Sequence, residues 1–247
     1  MPRKPRMRSS TDMYHITNRG INKVNIFNSE NDKKQFLRIL HKTCKQYPIE
    51  IYSYCVMSNH FHLLLRIPFA ELSAFIQQIS TTYAVYYNFK YNRVGHVFQG
   101  RYHSEAVESE RYFWCCVRYI HLNPVHALLA PSPAHYKFSS MKEYLKKSRL
   151  LLHPKAFQLY IQNFPGAADF QQFHNHRDHF IYIDTPEELF ARKELLIDEC
   201  AKIFLAGKNL PSKEAIFWSP ELKKEFITYA SDNLKVSKAE VSRYVKF

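Results

Sequence analysis

Met57-Ser58-Asn59-His60-Phe61-His62-Leu63-Leu64-Leu65-Arg66 is the stretch on which the reading of this chain turns. It is an apolar run carrying two histidines one residue apart. In a β-strand successive side chains point to opposite faces, so His60 and His62 share a face. Phe61, Leu63, Leu65 and Ile67 line the other face as an unbroken hydrophobic row that can seat the strand in a core. Two imidazoles held on one side of a rigid strand are the beginning of a metal site. Spacing alone decides little, because the chain has 13 histidines and a second such pair, His174-Asn175-His176, with His179 beyond it. That second pair lies in a polar stretch, 163–178, without alternation, and reads as a solvated surface or helix face.

Working outward, residues 49–57 are β-branched and aromatic, and Ser58-Asn59 is a turn between that strand and the next, a hairpin ended by Pro68. Upstream, residues 13–17 read as a short strand. Residues 31–47 carry Phe36, Leu37, Leu40 and Cys44 at helical spacing, and Pro48 stops them. Downstream, residues 71–89 repeat Leu72, Phe75, Ile76, Ile79, Tyr83, Tyr86 and Tyr87, an amphipathic helix. A strand over 102–107 follows, and Ser109 caps a further helix that Pro124 ends. The order β-α-β-β-α-β-α predicts an α+β fold: a ferredoxin-like, RRM-like four-stranded antiparallel sheet with two helices on one face. The other face stays open for a ligand or the last helix. The domain expectation is a basic flexible arm over 1–12, the sheet domain over 13–148, and a helical domain over 149–247. The last region has candidate helices at 154–162, 186–206, 220–234 and 237–246, and 237–244 resembles the final helix of a helix-turn-helix.

The chain has 247 residues, a net charge of +13, 17 Tyr and 19 Phe. Cations meet phosphates and rings stack on unpaired bases, so the composition suits a polyanion such as nucleic acid. Five cysteines without a C-x-x-C pair indicate neither a zinc ribbon nor a disulfide frame. No apolar run reaches the length of a membrane span.

The helix from Ser109 carries two stripes: Phe113, Cys116, Val117 and Ile120 on one side, Tyr112, Cys115, Tyr119 and Asn123 on another. Tyr119 and Asn123 thus lie one turn apart. A phenol can attack phosphorus, and a carboxamide oxygen can complete a coordination set begun by two imidazoles. Equally, Tyr119 can be a packing tyrosine and Asn123 a helix cap.

The segment Met57 to Leu65, taken with Arg118-Tyr119-Ile120-His121-Leu122-Asn123-Pro124-Val125, closely resembles the HUH single-tyrosine transposases. Within them it is most similar to the REP-associated tyrosine transposases, relatives of the insertion-sequence-200 type. Tyr14-His15-Ile16-Thr17-Asn18-Arg19-Gly20 and Gly95-His96-Val97-Phe98-Gln99-Gly100-Arg101-Tyr102 resemble two further segments of that family. The resemblance covers roughly residues 8–145 and none of 150–247. It implies that His60, His62 and Asn123 bind a divalent cation, Mg²⁺ or Mn²⁺, and that Tyr119 is the nucleophile. Asn at position 123, where insertion-sequence members generally carry Gln, favours the REP-associated branch. Ser58 departs from a frequent Pro, without chemical consequence. Single-stranded DNA with hairpin or repeat elements is the implied partner, cut and rejoined through a 5′-phosphotyrosine. His15, Arg19 and Arg101 stand as DNA contacts and His126 as a phosphate contact, while His121 points off the Tyr119 stripe. The implied location is the cytoplasm, at the nucleoid, with monomer and homodimer both open. The competing readings are a non-cutting nucleic-acid-binding regulator and a phosphodiesterase that uses water.

Overall fold

The computed structural model describes residues 6–148, 150–175, 186–234 and 237–244. Its first strands follow the alternation of the sequence. β1 (Met13–Arg19), β2 (Glu50–Val56), β3 (His60–Arg66) and β4 (His103–Ala106) form one antiparallel sheet in the order β2-β3-β1-β4. This is the split β-α-β arrangement expected from the element order. The β1–β3 register sets Thr17 opposite His62 and Arg19 opposite His60, and β1–β4 sets His15 opposite Glu105. His15, Thr17, His62 and Glu105 therefore share one face.

On the other face, Tyr14, Ile16, Phe61, Leu63 and Leu65 are wholly buried. Two helices cover them, α1 (Glu30–Cys44) and α2 (Phe69–Lys90). Phe36 packs on Phe61 at 4.6 Å between ring centres, and Tyr83 packs edge-on to Phe36 at 5.5 Å. Burial of each such ring contributes about 1.5–3 kcal/mol. Ser29 starts α1 with a capping box, its hydroxyl accepting from the Asp32 N–H while the Asp32 side chain accepts from the Ser29 N–H. Asp32 is itself buried and also accepts from Lys90, Tyr86 and Tyr91 of the α2 region. One carboxylate thereby ties the two helices together.

The histidine-bearing face is covered by α3 (Glu110–His126), with Ser109 as its cap. Nine consecutive residues of α3, Phe113 to His121, are buried, so this helix is enclosed on all sides. Its outer cover is a segment expected in a separate domain. After α4 (Met141–Lys146), the helices α5 (Pro154–Asn163) and α6 (Ala167–Asn175) pack back on β2 and α3. His153 N–H donates to Ile51 O, and Trp114 packs edge-on to Phe164 at 4.9 Å. Tyr144, Phe157, Tyr160, Phe164, Phe170 and Phe173 make the aromatic layer. The first compact unit accordingly ends at 176 rather than 148.

Two further expectations are corrected. Pro124 does not end α3, which runs through it to a cap at Ala127. Proline there only forgoes one N–H near the last turn, and the Ala127 N–H still reaches Asn123 O. The described part of the expected flexible arm, 6–12, is fastened: Ser9 N–H donates to the Tyr14 hydroxyl, Thr11 Oγ1 donates to Val107 O, and Ser10 bonds Glu108.

The second compact unit, 177–247, holds α7 (Pro186–Lys208), α8 (Pro220–Leu234) and α9 (Lys238–Tyr244). Its core gathers Ile197, Cys200, Ala201, Phe204, Ile216, Phe226, Ala230, Leu234 and Val241. The helices expected there are present within a few residues of their predicted bounds, with 245–247 outside the described residues. No helix among the described residues is long and apolar enough to cross a membrane.

Candidate metal and tyrosine site

β3 and α3 bring His60, His62, Tyr119 and Asn123 together. His60 and His62 meet edge-to-face with 4.8 Å between ring centres. The Tyr119 ring lies edge-on to His62 at 5.6 Å and to His15 at 5.9 Å. All of this is within one chain. Tyr119 is 3% exposed and His62 fully buried.

Local hydrogen bonds set which nitrogen faces inward. Asn59 donates its amide N–H to Lys23 O at 3.3 Å, which leaves its oxygen toward His60 Nδ1 at 2.6 Å. A carbonyl oxygen can only accept, so His60 carries its proton on Nδ1 and a bare lone pair on Nε2. That Nε2 is buried and makes no hydrogen bond among the described residues. Asn123 donates its N–H to Tyr119 O at 3.2 Å, which leaves its Oδ1 for the histidines. It acts on both rings as a polar neighbour. Burial lowers the His60 pKa to about 4, with the Asn123 oxygen opposing and the Arg19 charge reinforcing. Burial likewise holds His62 far below its usual range, and His60 and His15 add to it.

Two neutral imidazoles and a carboxamide oxygen, with a buried lone pair left bare between them, fit a divalent cation. The set contains only two histidines and an amide, and among the described residues no cluster of three His, Cys, Asp or Glu side chains is arranged to hold a metal.

The three expected DNA contacts fall in three places. His15 is 0% exposed and stacks on His62, its Nε2 3.1 Å from His62 Nδ1, so it stands behind the site rather than on a surface offered to DNA. Its position on the inward face of the central strand β1 is the reason. Arg19 lies opposite His60 and donates to Gln99 Oε1 at 2.9 Å. Arg101 does not share the pairing of Arg19 with His60. It lines an open groove of about 760 Å³ with Arg6, Asn18, Ser80, His96 and Tyr102, where the Arg6 guanidinium sits 3.9 Å over the Tyr102 ring.

His121 points off the Tyr119 stripe, as expected, but into a buried chain of hydrogen bonds that sequence reasoning missed. His174 Nδ1–H donates to Phe170 O at 2.6 Å, so His174 Nε2 accepts from His121 Nδ1–H at 2.9 Å. His121 Nε2 then accepts from the Ser140 hydroxyl at 2.8 Å, and Ser140 Oγ accepts from Tyr54 N–H at 3.0 Å. The chain ties α6 through α3 to β2. His174 is thus buried rather than solvated, while His176 and His179 lie outside the described residues. Next to it the Arg118 guanidinium meets Phe173 O at 3.3 Å, at the carbonyl end of α6, where a cation is favoured. The aromatic spacing of 157–173 was the available signal for this cover.

Charge is divided unevenly. Residues 177–247 hold 12 Lys and Arg against 12 Asp and Glu, so the whole net charge of +13 belongs to residues 1–176.

A split β-α-β sheet that presents paired histidines to a helix-borne tyrosine and asparagine defines a transposase of the HUH tyrosine type. Residues 9–123 match the family model for IS200-like transposases. The structure is similar to that of a REP-associated tyrosine transposase bound to a REP hairpin, with a TM-score of 0.52 and 19% identity over 62% of this chain and 89% of that one. A crystal structure from Deinococcus radiodurans R1, described as that of a candidate transposase, matches with a TM-score of 0.35 and 19% identity, over 48% of this chain and 95% of that one. No curated protein matches the chain.

Proposed function

We propose that this transposase cleaves and rejoins single-stranded DNA beside hairpin or repeat elements, through a 5′-phosphotyrosine on Tyr119. The observation that carries the reading is the Tyr119 ring set 5.6 Å from the ring of His62 in its own chain, with Asn123 one helical turn away. His60, His62 and Asn123 would hold Mg²⁺ or Mn²⁺, which when bound polarises a phosphate and neutralises its developing charge.

Tyr119 attacks phosphorus in line, forming the Oη–P bond as the P–O3′ bond breaks and releases a 3′-OH. A 3′-OH later attacks the phosphotyrosine and returns the phenol. One phosphodiester is exchanged for another ester of similar energy, so no ATP is needed. Tyr119 is 3% exposed, so DNA reaches it only when the site opens. In this reading Tyr119 serves the histidines of its own chain. The groove with Arg6, Arg101 and Tyr102 offers cations and a ring to an unpaired strand.

The test is incubation with a labelled single-stranded hairpin oligonucleotide and Mn²⁺, followed by a denaturing gel. A labelled protein band that disappears in Tyr119→Phe supports transesterification. Cleavage without the band indicates water as nucleophile, and binding without cleavage indicates a regulator.

A further inference from the structure

We propose that Glu105 fixes the proton position on His62, acting through His15, so that His62 presents a bare Nε2 to a cation. The inference rests on the reading of His62 as a metal ligand. It concerns the two residues behind that ligand, His15 in contact with His62 and Glu105 one step further back.

The strand register creates the line. Glu105 on β4 is opposite His15 on β1, and His62 on β3 is opposite Thr17, two residues along β1 on the same face. His15 is fully buried, and its ring is parallel to that of His62, with centres 5.3 Å apart. His15 Nε2 is 3.1 Å from His62 Nδ1, and His15 Nδ1 is 3.9 Å from Glu105 Oε2.

Counting protons along this line leaves two neutral arrangements. In the first, His15 is protonated on Nδ1, toward the carboxylate, and its bare Nε2 accepts from His62 Nδ1–H. His62 Nε2 is then bare and can ligate. In the second, His15 is protonated on Nε2 and donates to His62 Nδ1. Its bare Nδ1 then faces a carboxylate, and the proton of His62 sits on Nε2, which blocks the ligand position.

Thr17 does not decide between them. Its hydroxyl, also 3.1 Å from His62 Nδ1, can donate or accept. Glu105 does decide. At 3.9 Å it is beyond hydrogen-bond length, so it works as a charge on the N–H dipole, and in a buried setting that preference is strong. The carboxylate is kept ionised: burial pushes its pKa up, but His15, Tyr112 and His103 outweigh this and hold it below the ordinary value. Second-shell carboxylates on metal-bound histidines act in this way, and their loss weakens metal binding roughly 10–100-fold. Here a second histidine is interposed.

The experiment uses the full chain and two readouts. Long-range ¹H–¹⁵N correlation of the histidine rings in the metal-free protein reports the tautomer of His62, and calorimetry reports Mn²⁺ affinity. Wild type should show His62 protonated on Nδ1. Glu105→Gln removes the charge and can offer an N–H to His15, so it should move the His62 proton to Nε2 and weaken Mn²⁺ binding roughly 10-fold. Glu105→Asp keeps the charge and should retain the wild-type tautomer. In His15→Gln the new amide oxygen can accept from His62 directly, so adding Glu105→Gln there should change neither readout. A His62 tautomer that is the same in wild type and Glu105→Gln overturns the proposal, as does a 10-fold effect that persists in the His15→Gln background. If the tautomer moves but wild type binds no Mn²⁺, the relay stands and the assignment of His62 as a ligand fails.

Discussion

His174 is where burial has the most measurable consequence, and His174→Gln is the perturbation that isolates it. Burial lowers the His174 pKa from 6.5 to about 4, and the neighbouring Arg118 charge contributes, against the bond to Phe170 O that raises it. Above pH 6.5 the ring is neutral folded or unfolded and adds no pH dependence. Below 6.5 the unfolded chain takes the proton first, so stability falls until the folded ring also titrates near pH 4. Each pH unit in that window is worth about 1.4 kcal/mol, so wild type should lose about 2 kcal/mol through this group between pH 6.5 and pH 5. Gln cannot titrate, and its amide oxygen can still accept from His121 Nδ1–H. It should therefore be less stable than wild type at pH 7.5, by about 1–2 kcal/mol for the poorer fit. The gap should narrow by about 2 kcal/mol at pH 5. Urea unfolding followed by Trp114 fluorescence measures it, in a Trp218→Phe background so that only the first unit reports. Because His121 and His174 are coupled, the difference belongs to the pair. Parallel pH profiles for the two proteins would refute the reasoning.

Asp32→Asn should destabilise the first unit at neutral pH by about 2 kcal/mol. Burial would raise this carboxyl, yet the bonds from Lys90, Tyr91 and Ser29 bring its pKa from 3.8 down to about 2. The stabilisation is present above pH 3.8 and disappears as pH falls through 2, so urea midpoints of the two proteins should converge at low pH and differ at pH 7. Mn²⁺ should raise the melting temperature of wild type, and His60→Ala or His62→Ala should abolish the rise. An unchanged metal-induced shift in either variant removes that histidine from the ligand set.

The alternation of Phe61, Leu63 and Leu65 was enough to place His60 and His62 on one face, because successive side chains of a strand point to opposite sides, even in β3, which is buried on both. The pairing of Tyr119 with Asn123 was legible for the matching reason in a helix, one turn of separation. His15 was misplaced because β1 is central. Both of its faces are covered, so a polar residue on it carries no mark distinguishing an inward from an outward position. His174 was misread because the cover it belongs to is held by aromatic contacts and a buried hydrogen-bond chain between distant segments. Nothing local in 163–178 records those partners, though Phe157, Tyr160, Phe164 and Phe170 announced an apolar face. Pro124 shows the limit of a local rule: near a helix end the missing N–H is cheap, and α3 continues past it. The relay through Glu105 depends on cross-strand register, which no single segment contains.

The proposed reaction joins Tyr119 covalently to DNA, and that link can be weighed directly. After reaction with a single-stranded hairpin oligonucleotide and Mn²⁺, the protein is digested with protease and nuclease and its peptides are weighed. The expected product is a nucleotide-modified peptide with the phosphate on Tyr119 and a free 3′-OH on the released fragment. DNA cleaved to the same extent with Tyr119 unmodified, or a phosphate found on another residue, would contradict it.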